Sequence, residues 1–252
     1  MSNWLDRAIA WVAPTWGVRR IRNRAAANVL LSYDGARRDR RTGGWHTAGT
    51  SADAEIGPSL VALRDRSRDL VRNNPYASAA MDELVAQCVG TGITAQPKNA
   101  RLAEAWKIWV DECDAYGQQD LYGLEQLVVR TIFESGECLI RRRPRQSGDG
   151  LQIPMQIQVL EPDYLDHNRT GKNGGNRVIQ GVEFDPIGRR VAYWMFGDHP
   201  GDNTSFSRFT SESHRVPADG VLHIYDKRRT QVRGVPKLAP VIMSLRDLDE
   251  YF

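Results

Sequence analysis

Residues 120–144, DLYGLEQLVVRTIFESGECLIRRRP, contain the point where the chain changes from helical to strand periodicity. In the first part the apolar residues recur at every third or fourth position, which is typical of an amphipathic helix. Gly136 is placed to close that helix, because glycine is common just after a helix C-terminus. The next residues are rich in β-forming side chains, so the sequence predicts a strand directly after the helix.

The residues before this switch are predicted to be helical from Ser59 onward. Asn74-Pro75 divides the first part into two helices, because the residue before proline is excluded from the helical region. Asn74 is a good N-cap and Pro75 suits the first helical position of the second helix. Another helix is predicted over residues 99–114. We therefore assign residues 59–137 to a helical region.

Residues 138–225 have the pattern of strands and turns. The segment 151–165 alternates apolar and polar residues, and residues 178–196 predict a hairpin whose turn is Asp185-Pro-Ile-Gly188. The strands are segregated from the helices, which favours an α+β fold. We expect a helical N-terminal segment, then a mostly antiparallel β-rich segment, then the start of a long helix.

Two further regions flank these segments. Residues 1–58 are rich in arginine and contain many helix breakers, so they predict a partly flexible arm that contacts nucleic acid or a partner. Residues 226–252 combine a basic turn with a helix that begins near Val235. The apolar periodicity of that helix is still running at Phe252, which indicates that the chain is part of a longer protein.

The composition is that of a globular protein, with 41% hydrophobic and 26% charged residues among 252. No apolar run approaches the roughly 20 residues of a membrane-spanning helix, so we expect no membrane contact. The 34 basic and 31 acidic residues leave a net charge of only +3. Binding to DNA would therefore depend on local patches rather than on overall charge. The three cysteines have neither the number nor the spacing of a disulfide framework or a zinc site.

One local patch is formed by Lys227, Arg228, Arg229 and Arg233, between an apolar strand and the last helix. Positive charge at this position could bind a nucleic acid, a substrate phosphate or an acidic surface of a neighbouring subunit. The residues of the patch alone do not distinguish among these three partners.

A search for catalytic motifs finds no active site. Residues 90–95 half-match a dinucleotide-binding fingerprint, but they follow a helix instead of a strand. His199 lies near Asp198 and Asp202, a weak candidate for a metal site. His223 lies inside an apolar strand and is predicted to be structural.

A magnesium-dependent nuclease is the main catalytic alternative, because paired carboxylates bind Mg²⁺. The candidate carboxylates are Glu134, Glu137, Glu161, Asp163 and Asp166. No second acidic cluster on a neighbouring strand accompanies them in the sequence. We therefore predict no catalytic residues, no metal and no cofactor.

The order of several non-catalytic motifs resembles the portal proteins of lambda-like tailed phages. The resemblance runs in the same order through residues 60–250 and is most specific at RNNPYA before GTGI and at RGVPKLAP after the strand VLHIY. It also includes Trp106, Trp109, Asp114 and Gly117, followed by ESGECLIRRR. Before residue 60 the chain resembles the family only in its general composition.

The resemblance implies a structural protein without enzymatic activity. Portal proteins of this family form rings, typically of twelve copies, at one capsid vertex of the virion, and the heads are assembled in the cytoplasm of the bacterial host. Double-stranded DNA passes through the ring, driven by a separate terminase, and capsid and head–tail joining proteins bind to it. The family's chains are about twice this long. The resemblance also implies that residues 59–137 correspond to part of the wing and residues 138–225 to wing and clip together.

This resemblance gives the basic residues two possible roles. In a ring, one arginine from each subunit would give a circle of positive charges. Such a circle can neutralise DNA phosphates without sequence-specific contacts to the bases. Alternatively, each arginine pairs with an acidic residue of the next subunit. We favour subunit pairing or terminase docking for Arg228, Arg229 and Arg233, because tight phosphate contacts would slow the sliding of DNA. A DNA-binding or DNA-processing protein and a capsid scaffold without a channel are the alternative functions.

Overall fold

The computed structural model describes residues 11–30, 40–41, 43–202 and 212–251. The chain divides into two units, Met1–Gly49 and Thr50–Phe252. In the first unit, helix α1 spans Pro14–Leu30. The other parts of the expected arm lie largely outside the described residues.

Residues 50–58, which the sequence analysis assigned to the arm, belong to the second unit. Ala52–Ile56 forms a short helix, α2, and Ala52 is buried in the unit. The carboxylate of Asp53 accepts a hydrogen bond of 2.7 Å from the backbone N–H of Val232. This segment is therefore held by contacts distant in sequence, which its polar composition does not predict.

The four helices predicted between residues 59 and 137 are confirmed. They are α3 (Leu60–Asn73), α4 (Pro75–Val89), α5 (Ala100–Glu112) and α6 (Leu121–Ser135). The side chain of Asn74 accepts a hydrogen bond of 3.0 Å from Ala77 N at the start of α4, as a good N-cap does. Gly136 ends α6 in the left-handed conformation, with φ of 92°.

The strands form two antiparallel sheets, which confirms the α+β class. The strands are β1 (Glu137–Pro144), β2 (Met155–Leu160), β3 (Gly171–Asn173), β4 (Asn176–Ile179), β5 (Val182–Phe184), β6 (Arg190–Met195), β7 (His214–Pro217) and β8 (Val221–Tyr225). The first sheet has the order β2-β1-β8 and the second the order β3-β4-β5-β6-β7.

The second sheet contains more turns than the sequence predicted. The expected hairpin with its turn at Asp185–Gly188 is present between β5 and β6. A further turn at Gln180-Gly181 separates β4 from β5, and both of these residues have positive φ. Strand β3 was also not identified from the sequence and pairs with β4 as a short hairpin.

The main core lies between the two sheets. Leu139 on β1 is opposite Leu160 on one side and His223 on the other, so all three side chains point to the same face. That face packs on Val182 and Tyr193 of the second sheet. The opposite face of the first sheet packs on α5 and α6 through a separate apolar cluster.

The last helix, α7, spans Ile242–Tyr251. It packs on α3 through Ile242 and Leu245, and Leu238, which precedes the helix, belongs to the same apolar cluster. None of the described helices is long and apolar enough to cross a membrane.

Candidate functional site

The candidate site is the basic loop, which we define as residues 226–236. It leaves β8 at the end of the first sheet and is fixed where it meets the end of α6. A Cβ atom on Gly234 would lie 2.1 Å from the carbonyl oxygen of Gly136, so glycine is required for this close approach. Just after the loop, Lys237 N donates a hydrogen bond of 2.9 Å to Phe133 O. The helix expected from Val235 begins only at Ile242, because residues 237–241 form turns.

Three of the predicted contact residues lie on the surface of this loop. Lys227 is exposed and has no ion pair with a carboxylate in the described ranges. Arg228 donates from Nε to Asp226 Oδ2 at 2.9 Å. Arg229 reaches Glu55 Oε2 at 2.5 Å and Thr50 O at 3.0 Å. The loop therefore presents positive charge that its own chain only partly compensates.

The carboxylate of Asp226 lies between the cationic side chains of Arg228 and Lys237. Hydrogen bonds from Lys237 and then from Arg228 lower the pKa of Asp226. Asp226 therefore stays ionised and holds Arg228 close to the loop. The distance between Lys237 Nζ and Asp226 Oδ2 is 2.5 Å.

The structure corrects the expectation for Arg233. Its side chain is completely buried and donates from Nε to Glu137 Oε1 at 2.8 Å. The remaining guanidinium nitrogens donate to the carbonyl oxygens of Gln180 at 3.0 Å and Pro162 at 3.3 Å. All three nitrogens are thus used inside the chain, so Arg233 does not contact DNA, terminase or a neighbouring subunit. A buried charge stays ionised in a protein only with such partners.

Glu137, the first residue of β1, is the centre of a buried charge network. Its carboxylate also accepts hydrogen bonds from Arg64 Nη2 at 3.2 Å, His223 Nε2 at 2.8 Å and Gly234 N at 2.8 Å. Burial alone raises the pKa of Glu137, but the guanidinium of Arg233 and the bond from His223 outweigh it. The net result is a lowered pKa, which keeps the carboxylate ionised.

The network continues to the surface through a second carboxylate. Arg64 Nη1 donates to Asp163 Oδ1 at 3.2 Å, and Arg68 Nη2 donates to Asp163 Oδ2 at 2.6 Å. Arg68 also reaches Glu161 Oε2 at 3.1 Å. The buried charge network, as we use the term, consists of these seven side chains: Arg64, Arg68, Glu137, Glu161, Asp163, His223 and Arg233. It ties α3, β1, β8 and the basic loop together.

His223 has the structural role that the sequence predicted. Its side chain is fully buried, and burial lowers its pKa. The neutral ring donates from Nε2 to Glu137, which leaves Nδ1 to accept from Arg190 Nη1 at 3.4 Å. Both ring nitrogens are therefore satisfied within the chain.

Three of the carboxylates considered for a metal site, Glu137, Glu161 and Asp163, are paired with arginines. Glu161, Asp163 and His199 each offer a ligand atom within 4.8 Å of the others. However, Arg68 Nη2 already bridges Glu161 and Asp163. A guanidinium at this position compensates the charge that a cation would otherwise neutralise, so these side chains form a salt-bridge network.

The sequence analysis did not identify the partners of these charges. Arg64 appears in the sequence as one of several arginines on a helix, and only its position on the buried face of α3 distinguishes it. The position of Glu137 in the sequence could have indicated a buried ion pair, because a carboxylate at the start of a buried strand needs a cationic partner. The sequence did not show which arginine that partner is.

Comparison with known protein families gives a match over most of the chain. The family described as "Phage portal protein, lambda family" matches residues 38–252. A curated relative named "Probable portal protein", from Halomonas phage phiHAP-1, is 29% identical over 251 residues. That alignment covers 90% of this chain and 47% of the relative.

A solved structure also resembles part of the chain. It is described as the neck of an empty GTA particle computed with C6 symmetry. The sequence identity is 16% and the TM-score is 0.45, over 76% of this chain and 42% of that one. The chain thus spans less than half the length of both matched proteins.

Proposed function

The chain belongs to the lambda family of phage portal proteins, and we propose that it is a structural subunit of a head–tail connector. Copies of the chain form a closed ring, of twelve subunits in our proposal, at one vertex of the capsid. DNA enters and leaves the head through the ring, and the subunit catalyses no reaction. The observation that carries this proposal is the family match over residues 38–252.

The proposed partners follow from this role. They are identical copies of the chain, double-stranded DNA in the channel, a terminase that supplies the energy for packaging, and the capsid and head–tail joining proteins. The finished ring is part of the virion and is assembled in the cytoplasm of the bacterial host. We propose no cofactor, because the ring has a structural role and forms or breaks no covalent bond.

The buried charge network supports a mechanical role. It joins α3, two strands of the first sheet and the basic loop through side chains that are distant in sequence, such as Arg64 and Glu137. Removing one partner from a buried ion pair costs about 3–5 kcal/mol, so each joint resists local opening. A ring subunit needs such a rigid body, because a small distortion in each copy would accumulate around the ring.

We assign Lys227, Arg228 and Arg229 to contacts with a neighbouring subunit or with the terminase. Their exposure and positive charge support this role, and the pairing of Arg228 and Arg229 with acidic residues of their own chain keeps the loop in a fixed position. Fixed, partly compensated charges suit docking of a protein surface better than neutralisation of moving DNA.

The proposal is tested by replacing Arg228 and Arg229 with glutamate in the phage or prophage that encodes the chain. We expect fewer complete rings and, as a consequence, fewer DNA-filled heads. Arg246→Glu is the matched control, because Arg246 is exposed and pairs only with Glu250 on its own helix. Normal rings with failed packaging would assign the two arginines to DNA or terminase and exclude subunit pairing.

The DNA-processing alternative has a separate test. The purified protein is incubated with linear duplex DNA and Mg²⁺, with and without a chelator. We expect the DNA to remain intact in both samples. Cleavage that depends on Mg²⁺ and is abolished by Asp163→Asn would contradict the proposed structural role.

A further inference from the structure

A groove with three cations lies beside the basic loop. Arg177 on β4, Arg190 on β6 and Lys227 line it, together with residues of the segment before α2. None of the three has an ion pair with a carboxylate in the described part of the chain. Asp53 also lines the groove, but its Oδ1 is occupied by the N–H of Val232. The groove therefore has an excess of positive charge.

Arg190 is held in the groove by neutral acceptors. It donates to the hydroxyl of Tyr225 at 2.5 Å and to the carbonyl oxygen of Val232 at 3.4 Å. Its side chain is half-buried, so water compensates its charge only in part. Arg177 and Lys227 are exposed, and their long side chains can extend from the rim. This arrangement fits a ligand that brings carboxylates.

A group of carboxylates lies beyond the opposite edge of the first sheet. Residues 113–115 pair with β2 on the side away from β1, with Ile157 N donating to Cys113 O at 2.8 Å. Asp111, Glu112, Asp114 and Asp120 lie together on this surface, which we call the acidic edge. No lysine or arginine lines it.

The order of the strands places the two surfaces on different sides of the sheet. The acidic edge lies beyond β2, whereas the groove lies against Tyr225 at the end of β8, and β1 separates these two strands. A surface that cannot pair within one chain can pair between two copies. Head-to-tail contacts of this kind close into a ring when each copy is rotated by a fixed angle.

We propose that the basic groove of one copy binds the acidic edge of a second copy of this chain, an inference that rests on the proposed ring. Arg177 and Lys227 supply the exposed charge, and Arg190 fixes the position of the incoming carboxylates. Asp111 is the principal carboxylate on the other side, because Asp114 is bound to the backbone amides of its own loop and Asp120 caps α6. Complementary charge of this kind sets which surfaces meet and in which register.

The test reverses each surface separately and then both together. The groove variant is Arg177→Glu/Lys227→Glu. The edge variant is Asp111→Lys/Asp120→Asn, in which asparagine preserves the N-cap of α6. Lys98→Glu/Arg101→Glu is the control, because both residues are exposed and the change in net charge equals that of the groove variant. Circular dichroism verifies that all variants are folded.

Mass photometry then measures the concentration at which each variant forms rings. We expect each single-surface variant to require about tenfold more protein than the wild type, and the combined variant to recover most of that loss. If the wild type and both surface variants assemble like the control, the proposed groove–edge contact is wrong, whereas the proposed ring is not contradicted. If the combined variant is no better than either surface variant, the pairing is also wrong. A wild type that remains monomeric rejects the ring and this contact together.

Discussion

Arg233 and Glu137 form a fully buried ion pair between residues separated by 96 positions in the sequence. One belongs to the basic loop and the other to the first strand, so the pair fixes the surface loop to the core. The exposed cations of the loop are held in position by this buried one. We therefore expect any contact that the exposed loop residues make to depend on a residue that lies inside the chain.

Glu137→Gln is expected to lower the free energy of unfolding by about 3–5 kcal/mol, because Arg233 would remain buried without a counter-charge and Arg64 would keep only Asp163 as its partner. Urea denaturation followed by circular dichroism measures the change. Glu250→Gln, which removes an exposed carboxylate from the last helix, is the control and should change stability by less than about 0.5 kcal/mol. Equal effects of the two substitutions would show that the network does not stabilise the fold.

Gly234→Ala is expected to destabilise the protein by about 1–3 kcal/mol, because the new methyl group would overlap the backbone of Gly136. The side chains of Tyr225 and Glu137 are also within contact distance of that methyl group, so the basic loop would have to move. Thermal unfolding measures the effect. Gly220→Ala is the matched control, since no atom lies within 4 Å of a Cβ added there. An unchanged melting temperature for Gly234→Ala would contradict the close approach.

Stability is expected to decrease as the pH falls below about 6.5. Burial lowers the pKa of His223, so the unfolded chain takes up a proton at a pH where the folded chain does not. The contribution of neutral His223 to the free energy of unfolding is complete above about pH 6.5. Below that pH the free energy of unfolding falls by up to about 1.4 kcal/mol per pH unit. A second decrease follows below about pH 4.5, because the pKa values of Glu137 and Asp163 are also lowered in the fold.

Unfolding free energies of wild type and His223→Gln at pH 7.5 and 5.5 test the first of these decreases. The substitution should reduce the difference between the two pH values, and the remainder is expected to come from His167, whose pKa burial also lowers. The exposed His46 provides the control, and His46→Gln should keep the wild-type difference. A pH dependence in His223→Gln as large as that of the wild type would contradict the role of His223.

Asp53→Ala is expected to loosen the segment before α3, because the N–H of Val232 loses its acceptor. The predicted cost is about 1–2 kcal/mol, as for other partly buried hydrogen bonds. Hydrogen exchange at the amide of Val232 should become faster. Asp65→Ala removes an exposed carboxylate from α3 and should leave this amide protected. Unchanged exchange in Asp53→Ala would indicate that another contact holds the segment.

The helices could be predicted well because local signals determine them. Asn74-Pro75 marks both the end of α3 and the start of α4, and Gly136 marks the end of α6. The β4–β5 turn at Gln180-Gly181 was missed, because it interrupts a run that alternates like a single strand. Glycine is required at position 181 because a Cβ there would lie 2.7 Å from the carbonyl oxygen of Asp166, a contact that no local pattern indicates.

The candidate site could be predicted only in part. The sequence shows that residues 227–233 are basic, but it cannot distinguish Arg233 from its neighbours. The distinction arises because the loop turns inward at Gly234, where the backbone contacts Gly136. Arg177 and Arg190 of the groove were also missed, since they lie on different strands and meet only when the second sheet forms. Pairing over long distances in the chain leaves no local pattern.

We propose that identical copies of this chain close into a ring around a channel wide enough for duplex DNA. Electron microscopy of the purified protein at physiological salt, combined with its native mass, is the decisive experiment. We predict closed particles of about twelve copies with a central hole. A protein that stays monomeric at micromolar concentration, or that forms open chains without a hole, would contradict the account.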